Sequence, residues 1–294
     1  MPTALALGAI FHPFFGQFAY LTPYLIFAML FLTYSNMHLK EIKPRRLHLW
    51  LILVQILGSI SLYLLLLPVN KVLAQGAMVC IIAPTASAAA VITGMLKGNV
   101  ESLTAFSLLS NVATAIFTPL IFSLTGENNT LSFGMGMLTI SRSVLSVILI
   151  PISVVVFLKI FAPHVTETVA KYSIVSFFIW TFALAVASGR TVSFILKQNS
   201  GSLHMEVLLA LEALLICAVL FGIGKFIGRK YKDTIAGGQG LGQKNTILAI
   251  WMAQTYMNPL SSVAPGIYIL WQNIFNSWQI WYYAKKDQKN MLTK

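Results

Sequence analysis

Long apolar runs divide this chain at nearly regular intervals, with short polar or charged clusters between them. A helix that crosses the hydrocarbon core of a bilayer needs about 20 mostly apolar residues, which is close to the length of these runs. The pattern therefore predicts an all-α integral membrane protein. Its ten predicted transmembrane helices lie at 3–19, 21–38, 47–68, 72–97, 100–124, 131–161, 169–189, 202–227, 234–257 and 262–284.

The composition supports insertion into a membrane. Of the 294 residues, 57% are hydrophobic and 10% are charged, and the mean hydropathy is +0.79. A soluble domain carries about 25% charged residues, so this chain has too little polar surface to face water on all sides. The net charge of +12 does not indicate nucleic-acid binding, because the basic residues gather in clusters between the apolar runs. We expect a lipid bilayer, and no nucleic acid, as the partner.

The distribution of Lys and Arg predicts the orientation, since cytoplasmic segments are enriched in both. With a cytoplasmic N-terminus, the inner side holds Lys40, Lys43, Arg45, Arg46, Lys97, Lys159, Lys171, Lys225, Arg229, Lys230, Lys232, Lys285, Lys286, Lys289 and Lys294. The outer side then holds Lys71, Arg190 and Lys197. Fifteen basic residues against three predict that both termini are cytoplasmic in a multi-pass protein of a bacterial inner membrane.

Two of the predicted helices carry a central break, and each is the fourth helix of a group of five. The first break, at 83–90, contains Pro84, and the second, at 237–245, is rich in glycine. Five is an odd number, so the second group, 127–294, must be inverted relative to the first, 1–126. Broken helices paired in an inverted repeat are typical of the substrate sites of secondary transporters.

A break in a membrane helix has a direct chemical consequence. The freed backbone N–H and C=O groups cannot be solvated by hydrocarbon, so they must face protein, water, an ion or a substrate. The N-termini of the half-helices, near Ser87 and Asn245, carry partial positive charge that suits an anion. We therefore predict that Ser87, Ala88, Lys244 and Asn245 contact a small organic anion.

At these residues the chain resembles the bile acid:sodium symporter family. The matching motifs, in order, are Pro84, Gly98-Asn99, Thr118-Pro119, Gly240-Leu241-Gly242-Gln243-Lys244-Asn245, Pro265-Gly266 and Trp271-Gln272-Asn273. The resemblance implies ten helices in a panel domain and a core domain, with the broken fourth and ninth helices crossing in the core. It also implies transport of organic anions such as bile acids or smaller carboxylates, generally with two sodium ions.

The chain departs from the family where the resemblance implies sodium ligands. The corresponding positions are Gln55, Ala89, Ala90, Leu103, Ser107, Gly240, Gln243 and Lys244. The shared acidic ligand falls on Gly240, and Gln55 and Ser107 keep polar side chains. Sodium needs several oxygen ligands, and a nearby ammonium repels a cation. We therefore do not expect sodium to bind in the family's usual way.

Lys244 is unusual because an intramembrane lysine is costly and is often functional. We consider three hypotheses: its ammonium replaces a sodium ion at the crossing, it pairs with the substrate carboxylate, or its protonation couples to transport. The alternative is a lysine that extends to water.

Glu212, inside the eighth predicted helix, is a candidate counter-ion to Lys244 or a coupling site, and it can equally face a water-filled crevice. Arg142 either contacts an anion or extends toward the interface.

The leading hypothesis is an organic-anion carrier that works by alternating access without the usual sodium sites. A proton-coupled carrier that uses Glu212 and Lys244 and a membrane ligand sensor on the same fold are the alternatives. No nucleotide-binding motif or nucleophile–base pair is present in the sequence, so an enzyme and a cofactor are not expected.

Overall fold

The computed structural model describes residues 2–36, 43–86, 88–125, 133–197 and 203–292. Within these ranges the chain is helical almost throughout, which confirms the all-α class. The α-helices are α1 (Pro2–Ile10), α2 (His12–Gly16), α3 (Thr22–Ser35), α4 (Arg46–Leu66), α5 (Lys71–Ile82), α6 (Ala88–Met95), α7 (Val100–Thr125), α8 (Phe133–Phe161), α9 (Pro163–Lys171), α10 (Ser173–Lys197), α11 (Leu203–Lys230), α12 (Thr234–Gly242), α13 (Thr246–Tyr256) and α14 (Val263–Leu292).

Five helical stretches in the described parts of the chain are long and apolar enough to cross a membrane, by length and composition. They are α4, α7, α8, α11 and the run His12–Ser35, in which a 3₁₀ turn joins α2 to α3. The chain is therefore a membrane-embedded helical protein. The arrangement of ten spans in two inverted repeats stays a prediction.

The N-terminal region differs from the predicted boundary between 3–19 and 21–38. Helical structure runs through residue 20, and the interruption lies at Phe11 instead. Pro13 follows in the first turn of α2, where the missing N–H of proline costs nothing. The nine residues of α1 rise about 13 Å, less than half of the roughly 30 Å hydrocarbon core.

The segment before the seventh predicted helix also differs. The sequence predicts a helix at 169–189, whereas the structure places the separate polar helix α9 first and begins α10 at Ser173. The polar residues of α9, His164, Glu167 and Lys171 among them, suit the membrane interface better than its interior.

The helices pack as two groups. In the panel group, α1 and α2 pack on α10, and α3 packs on α8 and α10. In the core group, α4 packs on α5 and α7, and α11 packs on α5, α12 and α14. Helices α7 and α8 join the groups, and α13 contacts both α3 and α10. This packing places the two broken segments, α5–α6 and α12–α13, inside the core group.

The glycine-rich run in the second break has a packing role that differs from the prediction. Residues 237–242 are helical as part of α12, and the interruption is limited to 243–245. A Cβ atom at Gly224 of α11 would lie 2.2 Å from the carbonyl oxygen of Gly237, and one at Gly228 would lie 2.5 Å from that of Asp233. The glycines therefore let α11 and α12 approach at backbone distance.

Candidate functional site

The two broken segments cross, and their extended residues pair through the backbone. Thr85 and Lys244 form an antiparallel bridge. The N–H of Ala86 donates to the carbonyl of Gln243 at 3.0 Å, and the N–H of Asn245 donates to that of Pro84 at 2.8 Å. Backbone groups freed by the breaks thus satisfy one another, as an apolar interior requires.

Lys244 lies at the centre of this crossing with 1% of its surface exposed. Its ammonium donates to the carbonyl of Ile81 at 2.8 Å and to that of Ala83 at 2.9 Å. These carbonyls lie at the C-terminal end of α5, where unpaired C=O groups concentrate partial negative charge. The ammonium therefore sits where the protein itself would attract a cation. That the ammonium replaces a sodium ion at the crossing stays a prediction, whereas a direct contact with substrate would need a more exposed ammonium.

Gln55 completes the coordination of the same helix end. Its Nε2 donates to the carbonyl of Ile82 at 2.8 Å and to the hydroxyl of Thr114 at 2.9 Å. Its Oε1 accepts a 2.7 Å hydrogen bond from Ser110. Thr114 also donates to the carbonyl of Ile82 at 2.9 Å. Both polar groups of Gln55 are therefore engaged with protein, and its oxygen already has a donor.

Several residues of the crossing were missed from the sequence. The hydroxyl of Thr85 donates to the carbonyl of Gly240 at 2.7 Å, and the hydroxyl of Tyr268 donates to that of Gly242 at 2.8 Å. Gln272 accepts the backbone N–H of Lys244 at 2.9 Å. One signal was available, because Ser110 and Thr114 are spaced i, i+4 and so share one face of the predicted helix at 100–124.

The position of the family's acidic ligand is closed by an aromatic ring. A Cβ atom at Gly240 would lie 2.7 Å from Cδ1 of Phe106 and 3.0 Å from its Cε1. A carboxylate side chain therefore has no room at this position unless Phe106 moves.

Of the other implied sodium positions, Ala89, Ala90 and Leu103 are apolar, whereas Gln243 and Ser107 keep polar side chains. Buried Ala89 and Leu103 form an apolar cluster with Ala236, against which Ala90 packs. Gln243 is buried, and its Oε1 has no hydrogen-bond partner among the described residues. Ser107 is half-buried, and its backbone carbonyl accepts a 2.9 Å hydrogen bond from Asn111.

The predicted anion-contacting residues lie at the starts of two half-helices. Asn245 is the N-cap of α13, and its Oδ1 accepts the N–H of Leu248 at 3.3 Å. Ala88 begins α6 and is exposed. Ser87 lies outside the described residues. The two half-helices therefore begin on either side of the bridge between Thr85 and Lys244.

Glu212 and Arg142 do not join the crossing. Glu212 lies on α11, and its Oε2 is buried without a hydrogen-bond partner in the described part of the chain. The Lys244 ammonium donates to backbone carbonyls, so the structure gives no support to the counter-ion hypothesis for Glu212. Arg142 is exposed on α8.

A second polar cluster fixes the start of α12. Asp233, the residue before this helix, forms a 3.0 Å ion pair with Arg45, the residue before α4. Burial raises the pKa of the Asp233 carboxyl, while a hydrogen bond from Ser102 and the charge of Arg45 act in the opposite direction. His48 bonds Ser102 at 3.1 Å, so the cluster connects the starts of α4, α7 and α12.

Comparison with known proteins agrees with a membrane protein built from apolar helices. The Sodium Bile acid symporter family matches residues 23–198, more than half of the chain. The chain is also 28% identical, over 210 residues, to the "Uncharacterized sodium-dependent transporter YocS" of Bacillus subtilis (strain 168). That match covers 70% of this chain and 63% of the relative, so the chain spans less than two thirds of the relative's length. The protein belongs to the Sodium Bile acid symporter family.

Proposed function

We propose that this protein is a secondary carrier of a small organic anion, and that Lys244 is a fixed cation in place of an exchangeable one. The observation that carries the proposal is the position of the Lys244 ammonium, 2.8 and 2.9 Å from two carbonyls at the end of α5. A cation at this point neutralises the helix end, joins the two broken segments and leaves a net positive charge beside both half-helix N-termini.

Under this proposal, transport by this chain is not coupled to sodium in the family's usual way. The relative in Bacillus subtilis is named as sodium-dependent, which describes that protein. In this chain the acidic position is Gly240, closed by Phe106, and a lysine ammonium is present where the charge is needed. A sodium ion at this place would lie beside the positive charge of Lys244, with few oxygen atoms free to coordinate it. Both conditions are unfavourable where the effective dielectric constant is low.

The anion is proposed to bind at the starts of α6 and α13. Helix N-termini offer unpaired N–H groups and partial positive charge, and the spans offer no carboxylate at this point. Ser87, Ala88 and Asn245 are the proposed contacts. Lys244 would then act through its charge from within the crossing rather than through a hydrogen bond to the substrate.

The side from which the anion reaches the crossing is proposed from a difference in burial between the half-helices α6 and α13. Residues of α13 are buried along most of its length, whereas the buried residues of α6 are Ala89 and Thr93. With the orientation predicted from Lys and Arg, α6 ends on the cytoplasmic side. We propose that this conformation opens to the cytoplasm, and that rocking of the core group against the panel group exposes the crossing to the outside.

Uptake by purified protein in proteoliposomes tests the proposal. A labelled bile acid and a labelled 2-oxo monocarboxylate are the probes, with counterflow measured in sodium buffer and in potassium buffer. We expect saturable flux of at least one probe, changed less than twofold by replacing sodium. A strong sodium requirement would refute the fixed-cation mechanism. Binding without flux of either probe would favour a membrane ligand sensor instead.

A further inference from the structure

A fixed cation at Lys244 leaves the driving force for uptake unexplained. The inference about that driving force rests on the proposed function. A membrane potential that is negative inside opposes the entry of an anion. A sodium symporter overcomes this with co-transported cations, but an ammonium that is part of the chain cannot be released on the other side. Concentrative uptake therefore needs another mobile cation and a group that binds it.

Glu212 is a carboxylate in the membrane-embedded part of the chain with an unused acceptor. It is half-buried on α11, about a third of the way along the helix, and its Oε2 is fully buried with no partner in the described ranges. A Cβ atom added to Gly76 of α5 would meet this oxygen at 3.1 Å. The same atom would meet Leu209 at 2.9 Å and Ala264 at 3.1 Å, so the oxygen lies among apolar side chains.

The groups around Glu212 do not neutralise it. Cys80 on α5 lies within electrostatic range of Glu212, Cys217 and Lys244, and both thiols are buried and free. From α14, the hydroxyl of Tyr268 donates to a backbone carbonyl, and the Lys244 ammonium also donates to backbone carbonyls. An ionised carboxylate at this place thus has neither an ion pair nor a donor for Oε2, which is costly in an apolar setting.

A proton removes that cost in the simplest way. Protonation converts the carboxylate to a neutral carboxyl, which costs less to bury in an apolar setting. Sodium or a divalent ion would need several more oxygen ligands, whereas Leu209 and Ala264, which lie beside Oε2 next to Gly76, offer only carbon. No group of three metal-binding side chains is present in the described residues.

We propose that Glu212 binds the proton that moves with the organic anion. On the outer side Glu212 takes up one proton, the neutral carboxyl crosses with the core group, and the proton leaves to the cytoplasm. Entry of a monovalent anion then moves no net charge. Helix α5 provides the coupling, because Gly76 contacts the carboxyl while the C-terminal end of the same helix is held by Lys244.

The experiment compares two modes of transport in proteoliposomes that contain wild type or Glu212→Gln. The probe is the labelled bile acid or the labelled 2-oxo monocarboxylate, whichever wild type carries in counterflow. Counterflow needs no net proton movement, whereas accumulation driven by an acidic exterior does. We expect Glu212→Gln to keep counterflow within about threefold of wild type and to lose accumulation down to the level of protein-free vesicles. Glu167→Gln, an exposed acid on α9, is the matched control and should retain both modes.

Three results would overturn the inference. The first is accumulation by Glu212→Gln under a pH gradient at the wild-type level. The second is wild-type uptake of the probe without movement of protons, followed with a pH-sensitive dye inside the vesicles. This measurement uses no variant, so it decides the question even if Glu212→Gln does not fold. The third is wild-type accumulation that does not respond to pH. Absence of counterflow in wild type is a different failure, because it would refute the proposed carrier itself.

Discussion

Replacing Lys244 with methionine tests the role of the buried ammonium most directly. Methionine keeps an unbranched chain of similar length but removes the charge and all three donors. The carbonyls of Ile81 and Ala83 would each lose their 2.8–2.9 Å charge-assisted hydrogen bond in an interior without water. Such bonds contribute about 1.5–3 kcal/mol each, so their loss costs about 3–6 kcal/mol.

An opposing effect reduces that cost. A lysine near the centre of a membrane helix is unfavourable by about 2.5–3.5 kcal/mol on insertion scales, and methionine removes this penalty. The difference between the two effects ranges from roughly no net change to a destabilisation of about 3.5 kcal/mol. The destabilisation should be concentrated at the crossing, because the Lys244 side chain bonds two carbonyls that lie 161 and 163 residues away in sequence.

The assay combines thermal unfolding of purified protein in detergent with counterflow in vesicles. We expect Lys244→Met to unfold several °C below wild type and to lose most of its anion flux, with no recovery when sodium is added. Lys230→Met is the control, because this exposed lysine lies over the ring of Phe226 at the end of α11 and should change little. An unchanged midpoint together with unchanged flux would refute the fixed-cation role.

Three further outcomes can be measured by unfolding. Gly224→Ala places a Cβ 2.2 Å from a backbone oxygen of α12, so we expect loss of folded protein, whereas Gly222→Ala, where a Cβ meets nothing within 4 Å, should be tolerated. Gly240→Ala should destabilise by about 1–3 kcal/mol through its contact with Phe106, and Phe106→Leu should restore part of the loss. Because the folded state raises the pKa of Asp233, its contribution to stability is greatest in acid and declines as the pH rises through that pKa. The midpoint difference between wild type and Asp233→Asn should therefore decrease from about pH 4 to pH 7, and a constant difference would contradict this.

The membrane class and the two breaks were predictable because they depend on local composition. Apolar runs of helical length need only the sequence, and Pro84 cannot continue the helical hydrogen bonding of α5. The second break was placed too broadly for the same reason. Glycine lowers helix propensity everywhere, but in 237–242 it serves close packing on α11, which is a tertiary effect that the sequence does not display.

The N-terminal boundary was wrong in a related way. Residues 3–38 contain no Asp, Glu, Lys or Arg, so hydropathy alone cannot locate a turn within them. The structure interrupts the helix at Phe11, two residues before Pro13, which favours the first turn of a new helix.

The partners of Lys244 were beyond prediction from sequence. The residue could be recognised as costly and therefore functional, which left three hypotheses open. Its hydrogen-bond partners, the carbonyls of Ile81 and Ala83, become its neighbours only when the two broken segments cross. Backbone carbonyls carry no sequence signature, so a ligand set made from them is invisible until the fold is known.

The crossing helps to explain how a scaffold of this family could exchange its driving ion. The end of α5 and the bridge between Thr85 and Lys244 present carbonyl groups that need positive charge in every conformation. A diffusible ion supplies this positive charge and also couples transport to its own gradient. A tethered ammonium supplies the charge but provides no coupling to a gradient. A carrier with Lys244 therefore keeps its structure without the ion but gives up the ion's energy. It must then either equilibrate its anion or take its energy from another ion. We expect Glu212 to bind that ion, because this half-buried residue has a buried Oε2 with no hydrogen-bond partner in the described part of the chain.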